Sequence, residues 1–281
     1  MRKVLYKEIS KRTRDICLQA AFELPSEVKD ALRKAASGES NKRAENILDQ
    51  CVLNAEIASL ENMAICQDTG AAVFFIEIGD QVFIEGGNIK DAVNEGMTAA
   101  YKEGCLRKSM VDDPVFIRKN TGSNFPAVIH IDIVEGDKIR ILHGPKGGGS
   151  ENMSAVKMLK PLEGEEGIID FVSSTVISAG GNPCPPVIVG VGIGGTFEKA
   201  ALLAKKALFR PLDSNNPDPL YDELENKILK RINDSGVGPQ GLGGKTTALK
   251  VKILHFPCHI ASLPVAVNLN CHAARHAEIE I

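Results

Sequence analysis

Three of the seven cysteines in this 281-residue chain stand among unusual neighbours. Cys66 lies in NMAICQDTG, Cys184 in GGNPCPP, and Cys271 in NLNCHAARHA. Their wide separation excludes a local zinc knuckle and a C-x-x-C redox pair. Three thiolates from three loops can instead hold a [4Fe–4S] cluster and leave one iron open as a Lewis acid. The spacing alone does not establish such a site, because Cys105 and Cys258 compete for the same role.

A second candidate for chemistry is PPVIVGVGIGG, where Gly190, Gly192 and Gly195 have the G-x-G-x-x-G spacing of a dinucleotide-binding turn. The turn follows a predicted strand and precedes a predicted helix, as a nucleotide site requires. A second parallel strand ending in an acid should come next, but Asp213 lies in the proline-broken loop FRPLDSNNPDP. A nicotinamide-dependent oxidoreductase is therefore the weaker alternative.

Two further glycine-rich segments differ in what they can bind. In GVGPQGLGGKTT, the position of the first glycine of a phosphate loop is taken by Pro239, which has no N–H to donate. This change argues against a nucleotide hydrolase. In GPKGGGSENMS, three consecutive glycines precede a predicted helix start and expose backbone N–H groups. The second segment suits a small carboxylate or phosphate, and a flexible connection is the alternative.

The elements that must position these residues are three helices followed by mixed α and β segments. Apolar residues at helical spacing predict helices in residues 1–60. Alternating or continuous apolar runs then predict strands in AAVFFIEIG, FPAVIHIDIV, PPVIVGVGIG, TTALKVKILHF and LPVAVNLN, with EGDKIRILHG closing a hairpin on FPAVIHIDIV. Helices are predicted in IKDAVNEGMTAAYKEG, SENMSAVKMLKPL, EEGIIDFVSSTVISA, TFEKAALLAKKAL and DPLYDELENKILKRINDSG.

The fold class that follows is mixed α/β. We expect one domain over residues 1–281, with a helical N-terminal part (1–60) packed on an interwoven α/β unit with mixed sheets (61–281). The net charge of −3 and the absence of tryptophan argue against a nucleic-acid binder. The charged N-terminal segment lacks the apolar core of a signal peptide, and no run is long enough to span a membrane. These features predict a cytoplasmic protein.

Eight segments together resemble one enzyme family. They are ICQDTG, RKSMVDD, NTGSNFPA, GPKGGGSEN, GGNPCPP, LGGKTTALKV, PCHIASLPVAVNLNC and CHAARHAEIEI. They are similar to segments of the α subunits of class I, iron–sulfur fumarate hydratases and of L(+)-tartrate dehydratases, from about Asn62 to the end of the chain. The resemblance implies a hydro-lyase that hydrates fumarate to (S)-malate, a reaction of the tricarboxylic acid cycle. L(+)-tartrate or a methylated analogue such as mesaconate is the alternative substrate.

The resemblance also implies a role for individual residues. It assigns the three ligands of a [4Fe–4S] cluster with one open iron to Cys66, Cys184 and Cys271. It assigns catalysis to Asp68 and His259, and substrate binding to Gln67, Arg107 and Gly148. Under this interpretation Arg107 binds a substrate carboxylate, Gly148 offers a backbone N–H to one, and GVGIGG is a structural turn.

A partner subunit is the last implication of the resemblance. Single-chain members of the family continue into a second domain that supplies further substrate arginines, and nothing in this sequence resembles that domain. We therefore expect a separate β subunit, an α2β2 heterotetramer, and little activity from this chain alone.

Overall fold

The computed structural model describes all residues from Met1 to Ile281. The chain divides into two compact units that alternate along the sequence. Unit 1 contains Met1–Pro25, Ala55–Gly148 and Arg275–Ile281, and unit 2 contains Ser26–Asn54 and Gly149–Ala274. Each unit combines helices with a four-stranded mixed sheet, which confirms the predicted α/β class.

The first sixty residues are helical, as predicted, after one short strand. This strand, β1, spans Arg2–Leu5, and the helices are α1 (Tyr6–Phe22), α2 (Ser26–Ser37) and α3 (Lys42–Glu61). Helix α3 buries Ala44, Leu48, Cys51, Val52, Ala55 and Ala58 and leaves Ile57 and Leu60 exposed.

Unit 1 is built on a sheet in the order β10-β5-β2-β4. Its strands are β2 (Ala71–Gly79), β4 (Val128–Val134), β5 (Ile139–Lys146) and β10 (Ala277–Glu280). A fifth strand, β3 (Val82–Glu85), pairs with β1 outside this sheet, and helix α4 spans Ile89–Glu103. The sheet and helices α1 and α4 share one apolar core. This core supports the loop that enters β2.

The predicted hairpin between FPAVIHIDIV and EGDKIRILHG is wrong. Strands β4 and β5 are not neighbours, because β2 lies between them. It pairs with β4 in parallel and with β5 antiparallel. The reason is burial. Strand β2 is the most apolar of the three, and in the central position it is flanked by β5 on one side and β4 on the other.

Unit 2 has a sheet in the order β6-β9-β7-β8. The strands are β6 (Ala155–Leu159), β7 (Val187–Gly194), β8 (Ala248–Phe256) and β9 (Leu263–Asn270). Every residue of β7 is buried. Strand β7 runs parallel to β8 and antiparallel to β9, so the start of β7 and the end of β9 lie at the same edge of the sheet.

Three long helices of unit 2 lie where the apolar periodicity of the sequence predicts helices. They are α6 (Gly164–Ala179), α7 (Phe197–Ala207) and α8 (Pro219–Asn233). The helix predicted over SENMSAVKMLKPL is wrong, because only α5 (Gly148–Glu151) is helical there and β6 follows it. Pairing of AVKML with β9 overrides its local helical preference. None of the helices combines the length and apolar character that crossing a bilayer requires.

The glycines of GVGIGG serve the packing of α7 on β7. A Cβ atom at Gly190 would lie 2.2 Å from the carbonyl oxygen of Ala204, and one at Gly192 would lie 2.0 Å from that of Ala200. Such distances leave no room for any side chain. The G-x-G spacing is therefore explained by a helix that rests directly on the strand backbone.

Candidate functional site

The Cys66–Gly70 loop of unit 1 connects α3 to β2 and carries a carboxylate beside a thiol. The backbone N–H of Asp68 donates to the Cys66 sulfur at 3.4 Å. The Asp68 carboxylate accepts from the N–H of Gly70 at 3.0 Å and from the N–H of Gly148 at 2.8 Å. Each carboxylate oxygen therefore has its own backbone donor, which fixes the orientation of the group.

The triple-glycine segment lies against this carboxylate. A Cβ atom at Gly147 would lie 3.1 Å from Asp68 Oδ2, closer than ordinary contact, and one at Gly148 would lie 3.8 Å away. Glycine at position 147 thus allows the backbone to approach Asp68. We expected the N–H of Gly148 to face a substrate carboxylate, whereas in the structure it donates to the carboxylate of Asp68.

Three buried side chains hold the same loop from its inner side. The Tyr101 hydroxyl donates towards the carbonyl oxygens of Thr69 and Gly70 at 2.8 and 2.9 Å. The Asn124 side-chain amide donates to the Gly70 carbonyl at 3.1 Å, and Arg275 Nη2 donates to the Asp68 carbonyl at 2.9 Å. Three consecutive carbonyls therefore have buried side-chain donors.

The two predicted substrate side chains of unit 1 are exposed. Gln67 adjoins Asp68 in the loop, and Arg107 follows α4. The Thr69 hydroxyl donates to the backbone carbonyl of Arg107 at 2.7 Å, which ties the two segments together. The structure thus places Cys66, Gln67, Asp68, Arg107 and Gly148 around one loop of unit 1.

Cys184 and Cys271 lie at one edge of the unit 2 sheet. Cys184 precedes β7, Cys271 follows β9, and Ile188 is paired with Asn270 at that edge. His272 links the two segments, because its Nδ1 lies 3.0 Å and its backbone N–H 3.4 Å from the carbonyl oxygen of Cys184. This contact joins the two segments that carry Cys184 and Cys271.

Cys184 adopts a backbone conformation that is rare for a residue with a side chain. Its φ angle is 54°, in the left-handed region. Gln240 braces the segment, since its backbone N–H and its side-chain amide both donate to the Pro185 carbonyl, at 2.7 and 3.0 Å. Strained residues held by their surroundings are concentrated at functional sites.

Cys51 is a thiol that sequence reasoning did not connect with this edge. It is buried in α3, and burial, followed by the nearby Cys271 and Cys184, raises its pKa to about 11. The sequence offered no signal for this proximity, because Cys51 occupies an ordinary core position of a helix. Unit 2 therefore groups three sulfur atoms near the end of β9.

His259 lies at the opposite edge of that sheet. It belongs to the connection between β8 and β9, whereas Cys271 follows the other end of β9. The eight residues of β9, at about 3.3 Å each, separate the two edges by roughly 25 Å. His259 lines an open, largely apolar groove with Tyr221 and Leu263. The structure therefore does not bring His259, to which the resemblance assigns catalysis, to Cys184 or Cys271.

The remaining cysteines show features of ordinary thiols. Cys17 is fully buried, and burial raises its pKa. Cys105 is exposed beyond α4, and the exposed Cys258 donates to the Ser262 carbonyl at 3.3 Å. No disulfide joins any of the seven cysteines, and no group of three or more His, Cys, Asp and Glu side chains is arranged to hold a metal ion.

Lys245 of the LGGKTT segment makes a structural contact within unit 2. Its backbone N–H donates to a carboxylate oxygen of Glu39 at 2.7 Å, and its Nζ lies 3.4 Å from the Gly38 carbonyl. The LGGKTT segment is thereby attached to the connection between α2 and α3.

These units define a mixed α/β protein with thiols and a backbone-held carboxylate in its loops. The sequence profile of the fumarate hydratase (Fumerase) family matches residues 10–280. The chain is 43% identical over 263 residues to the "Putative L(+)-tartrate dehydratase subunit alpha" of Methanocaldococcus jannaschii, which covers 92% of each chain. It is 34% identical over 258 residues to the L(+)-tartrate dehydratase subunit alpha of Escherichia coli strain K12, covering 91% of this chain and 85% of that one. The chain therefore belongs to the fumarate hydratase family.

Proposed function

We propose that this chain is the α subunit of an iron–sulfur hydro-lyase that interconverts fumarate and (S)-malate. The observation that carries the proposal is the Asp68 carboxylate, held by two backbone donors beside the Cys66 thiol in a chain of this family. The reaction removes a proton next to a carboxylate and expels hydroxide, so the enzyme must stabilise negative charge and protonate the departing oxygen.

The proposed cofactor is a [4Fe–4S] cluster, for which the family resemblance assigns Cys66, Cys184 and Cys271 as ligands. Thiolates are the ligands that such clusters take, and backbone N–H groups directed at a ligand sulfur tune them. The N–H of Asp68 is directed at the Cys66 sulfur in this way. His272 contacts the carbonyl of Cys184, as residues that orient a metal ligand commonly do. When bound, the cluster would supply a Lewis-acidic iron for the substrate hydroxyl and carboxylate.

Asp68 is the proposed proton-transfer residue. Each of its carboxylate oxygens accepts one backbone N–H and keeps further lone-pair capacity. In the hydration direction the carboxylate accepts a proton from the water that adds to fumarate. In the reverse direction it returns that proton to the hydroxyl oxygen of malate as water departs. The two backbone donors keep the carboxylate pointing the same way in both directions.

Substrate binding is proposed for Gln67 and Arg107, whereas Gly148, to which the resemblance assigns the same role, holds the Asp68 carboxylate through its N–H. The guanidinium of Arg107 is exposed and planar, which suits a bidentate contact with one substrate carboxylate. A catalytic role for His259 stays a prediction of the family resemblance, and we assign it no step. A dicarboxylate needs more positive charge than this set of residues supplies. We therefore propose a separate β subunit in an α2β2 assembly, which the "subunit alpha" names of the relatives support.

The decisive experiment is an anaerobic assay of this chain purified together with its β subunit. Fumarate consumption is followed by its ultraviolet absorbance, and tartrate dehydration by the oxaloacetate that it forms. We expect fumarate hydration by the wild-type complex and little by the chain alone. Asp68→Asn should lower turnover by about 100-fold or more while the cluster absorbance is unchanged, as expected on loss of a proton-transfer group.

The matched control is Asp137→Asn, which alters an exposed aspartate of the same unit. It should leave turnover unchanged. Near wild-type turnover by the Asp68→Asn complex would disprove the assigned role, and full activity of the isolated chain would disprove the need for a β subunit. His259→Asn, assayed in parallel, decides whether that histidine contributes.

L(+)-tartrate dehydration is the second candidate function. It is favoured by the names of both relatives, one of them 43% identical to this chain. The two reactions share the elimination of water beside a carboxylate, so the same residues would serve either. A higher kcat/KM for L(+)-tartrate than for malate in the same complex would replace fumarate hydration by this function.

A further inference from the structure

Arg275 is a buried arginine whose contacts differ from those of an ordinary buried ion. Its side chain lies in unit 1, and the residue is only 4% exposed. The guanidinium makes one hydrogen bond, from Nη2 to the carbonyl oxygen of Asp68. Its Nε and Nη1 atoms are buried and have no partner. Buried charges are normally paired with a carboxylate, because removing them from water is costly.

Arg275 shares a small internal gap with Cys17, Tyr101 and His143, and these three side chains are uncharged. Burial raises the pKa values of Cys17 and Tyr101, so both are protonated and neutral at pH 7. Burial, with a smaller contribution from Arg275, lowers the pKa of His143 to about 4, so this ring is neutral as well. Arg275 is therefore the lone charge in this gap.

The position of this charge relates it to the Cys66–Gly70 loop. Tyr101 and Asn124 hold the carbonyls of Thr69 and Gly70. Arg275 holds the carbonyl of Asp68, which lies between Cys66 and these two residues in the sequence. Of these three contacts only that of Arg275 comes from a charged donor, so it should restrain the Asp68 carbonyl most strongly. Asp68 is also the residue whose carboxylate is proposed to transfer the proton.

We propose that Arg275 is a positioning residue: it holds the Asp68 carbonyl from the inner side and fixes the backbone that orients the Cys66 thiol and the Asp68 carboxylate. Its catalytic consequence rests on the proposed function, whereas its effect on the loop does not. The test therefore needs one readout that is independent of the reaction.

The first readout is amide hydrogen exchange of residues 62–72 in the full chain. Arg275→Met removes the charged donor and retains an unbranched side chain, and Arg275→Lys retains the charge without the fork. Loss of a charged hydrogen bond should accelerate exchange at Asp68 and Gly70 by about 10- to 100-fold in Arg275→Met, and by less in Arg275→Lys. The control is Arg140→Met, which removes an exposed, ion-paired arginine of β5. It should leave this segment unchanged.

The second readout is turnover per bound cluster in the complex with the β subunit. We expect kcat to fall by at least about tenfold in Arg275→Met, with a smaller change in KM and partial recovery in Arg275→Lys. A residue that served only folding would lower the melting temperature and leave kcat per loaded site unchanged.

The outcomes separate the proposals. Unchanged exchange in residues 62–72 of Arg275→Met overturns the inference, as does faster exchange with wild-type kcat. If Arg275→Met does not fold, Arg275→Lys decides by the same two readouts. If the wild-type complex neither hydrates fumarate nor dehydrates L(+)-tartrate, the proposed function fails, and the exchange result alone decides whether Arg275 fixes the loop.

Discussion

Gly192 offers a direct test of why GVGIGG carries glycines. The substitution Gly192→Ala places a methyl carbon 2.0 Å from the Ala200 carbonyl oxygen and 2.6 Å from the Ala204 nitrogen. Ordinary contact begins at 3.4 Å, so α7 must retreat from β7 by about 1.4 Å. Ala200 and Ala204 are completely or almost completely buried on that surface.

The cost follows from this retreat. A gap of about 0.5–1 Å already forfeits a quarter to a half of the dispersion attraction between facing atoms. Overpacking of a tight interior typically costs about 1–3 kcal/mol, and a clash with helix backbone belongs at the upper end. We therefore expect a loss of about 3 kcal/mol in the free energy of unfolding. At about 2–4 °C per kcal/mol, the melting temperature should fall by about 6–12 °C.

Thermal unfolding followed by circular dichroism measures this shift. The matched control is Gly38→Ala in the same unit, where the added carbon would meet its nearest atom at 3.5 Å, an ordinary contact. The control should keep or slightly raise the melting temperature, because alanine lowers the entropy of the unfolded chain. A melting temperature of Gly192→Ala equal to that of the wild type would refute the packing explanation and reopen a ligand-binding role for the turn.

Two further predictions concern buried side chains. Burial lowers the pKa of His143 to about 4 in the folded chain, against about 6.5 in the unfolded chain. Because the unfolded chain binds the proton more tightly, the free energy of unfolding decreases as pH falls below about 6.5. Between pH 7 and pH 5 the wild type should lose about 2 kcal/mol more than His143→Asn in urea unfolding, and equal losses would contradict the buried, neutral ring. Alkylation of the native protein with iodoacetamide, read by peptide mass spectrometry, should modify Cys258 quickly and Cys51 only after unfolding. The reason is that Cys51 is buried and has a raised pKa. Rapid labelling of Cys51 would contradict its placement.

Local sequence patterns predicted the individual elements better than their neighbours in the sheets. The continuous apolar run of β2 and the periodic run of α7 gave correct elements, because both depend on residues close in sequence. The hairpin between β4 and β5 failed because sheet order depends on which strand is buried most, a property of the whole unit. AVKML formed a strand because β9 was available as its partner.

The candidate site was predictable to the extent that its motifs are contiguous. CQDTG and GPKGGG each identified residues that do meet, at Asp68 and Gly148. The proximity of Cys51 to the β9 edge and the position of Arg275 under the loop were not predictable, since both depend on long-range packing of otherwise ordinary residues. The separation of His259 from Cys271 required the direction of β9 in the sheet.

The pairing of β10 with β5 has a consequence for biosynthesis. Strand β10 is made about 130 residues after β5, and Ala277 and Ile281 belong to the core of unit 1. At translation rates of about 5–20 residues per second, the nascent chain waits roughly 7–26 s before this core can close. During that time the edge of β5 has no partner and is open to chaperones or to aggregation. Unit 1, although it contains the N-terminus, must complete its folding after almost all of unit 2 has left the ribosome.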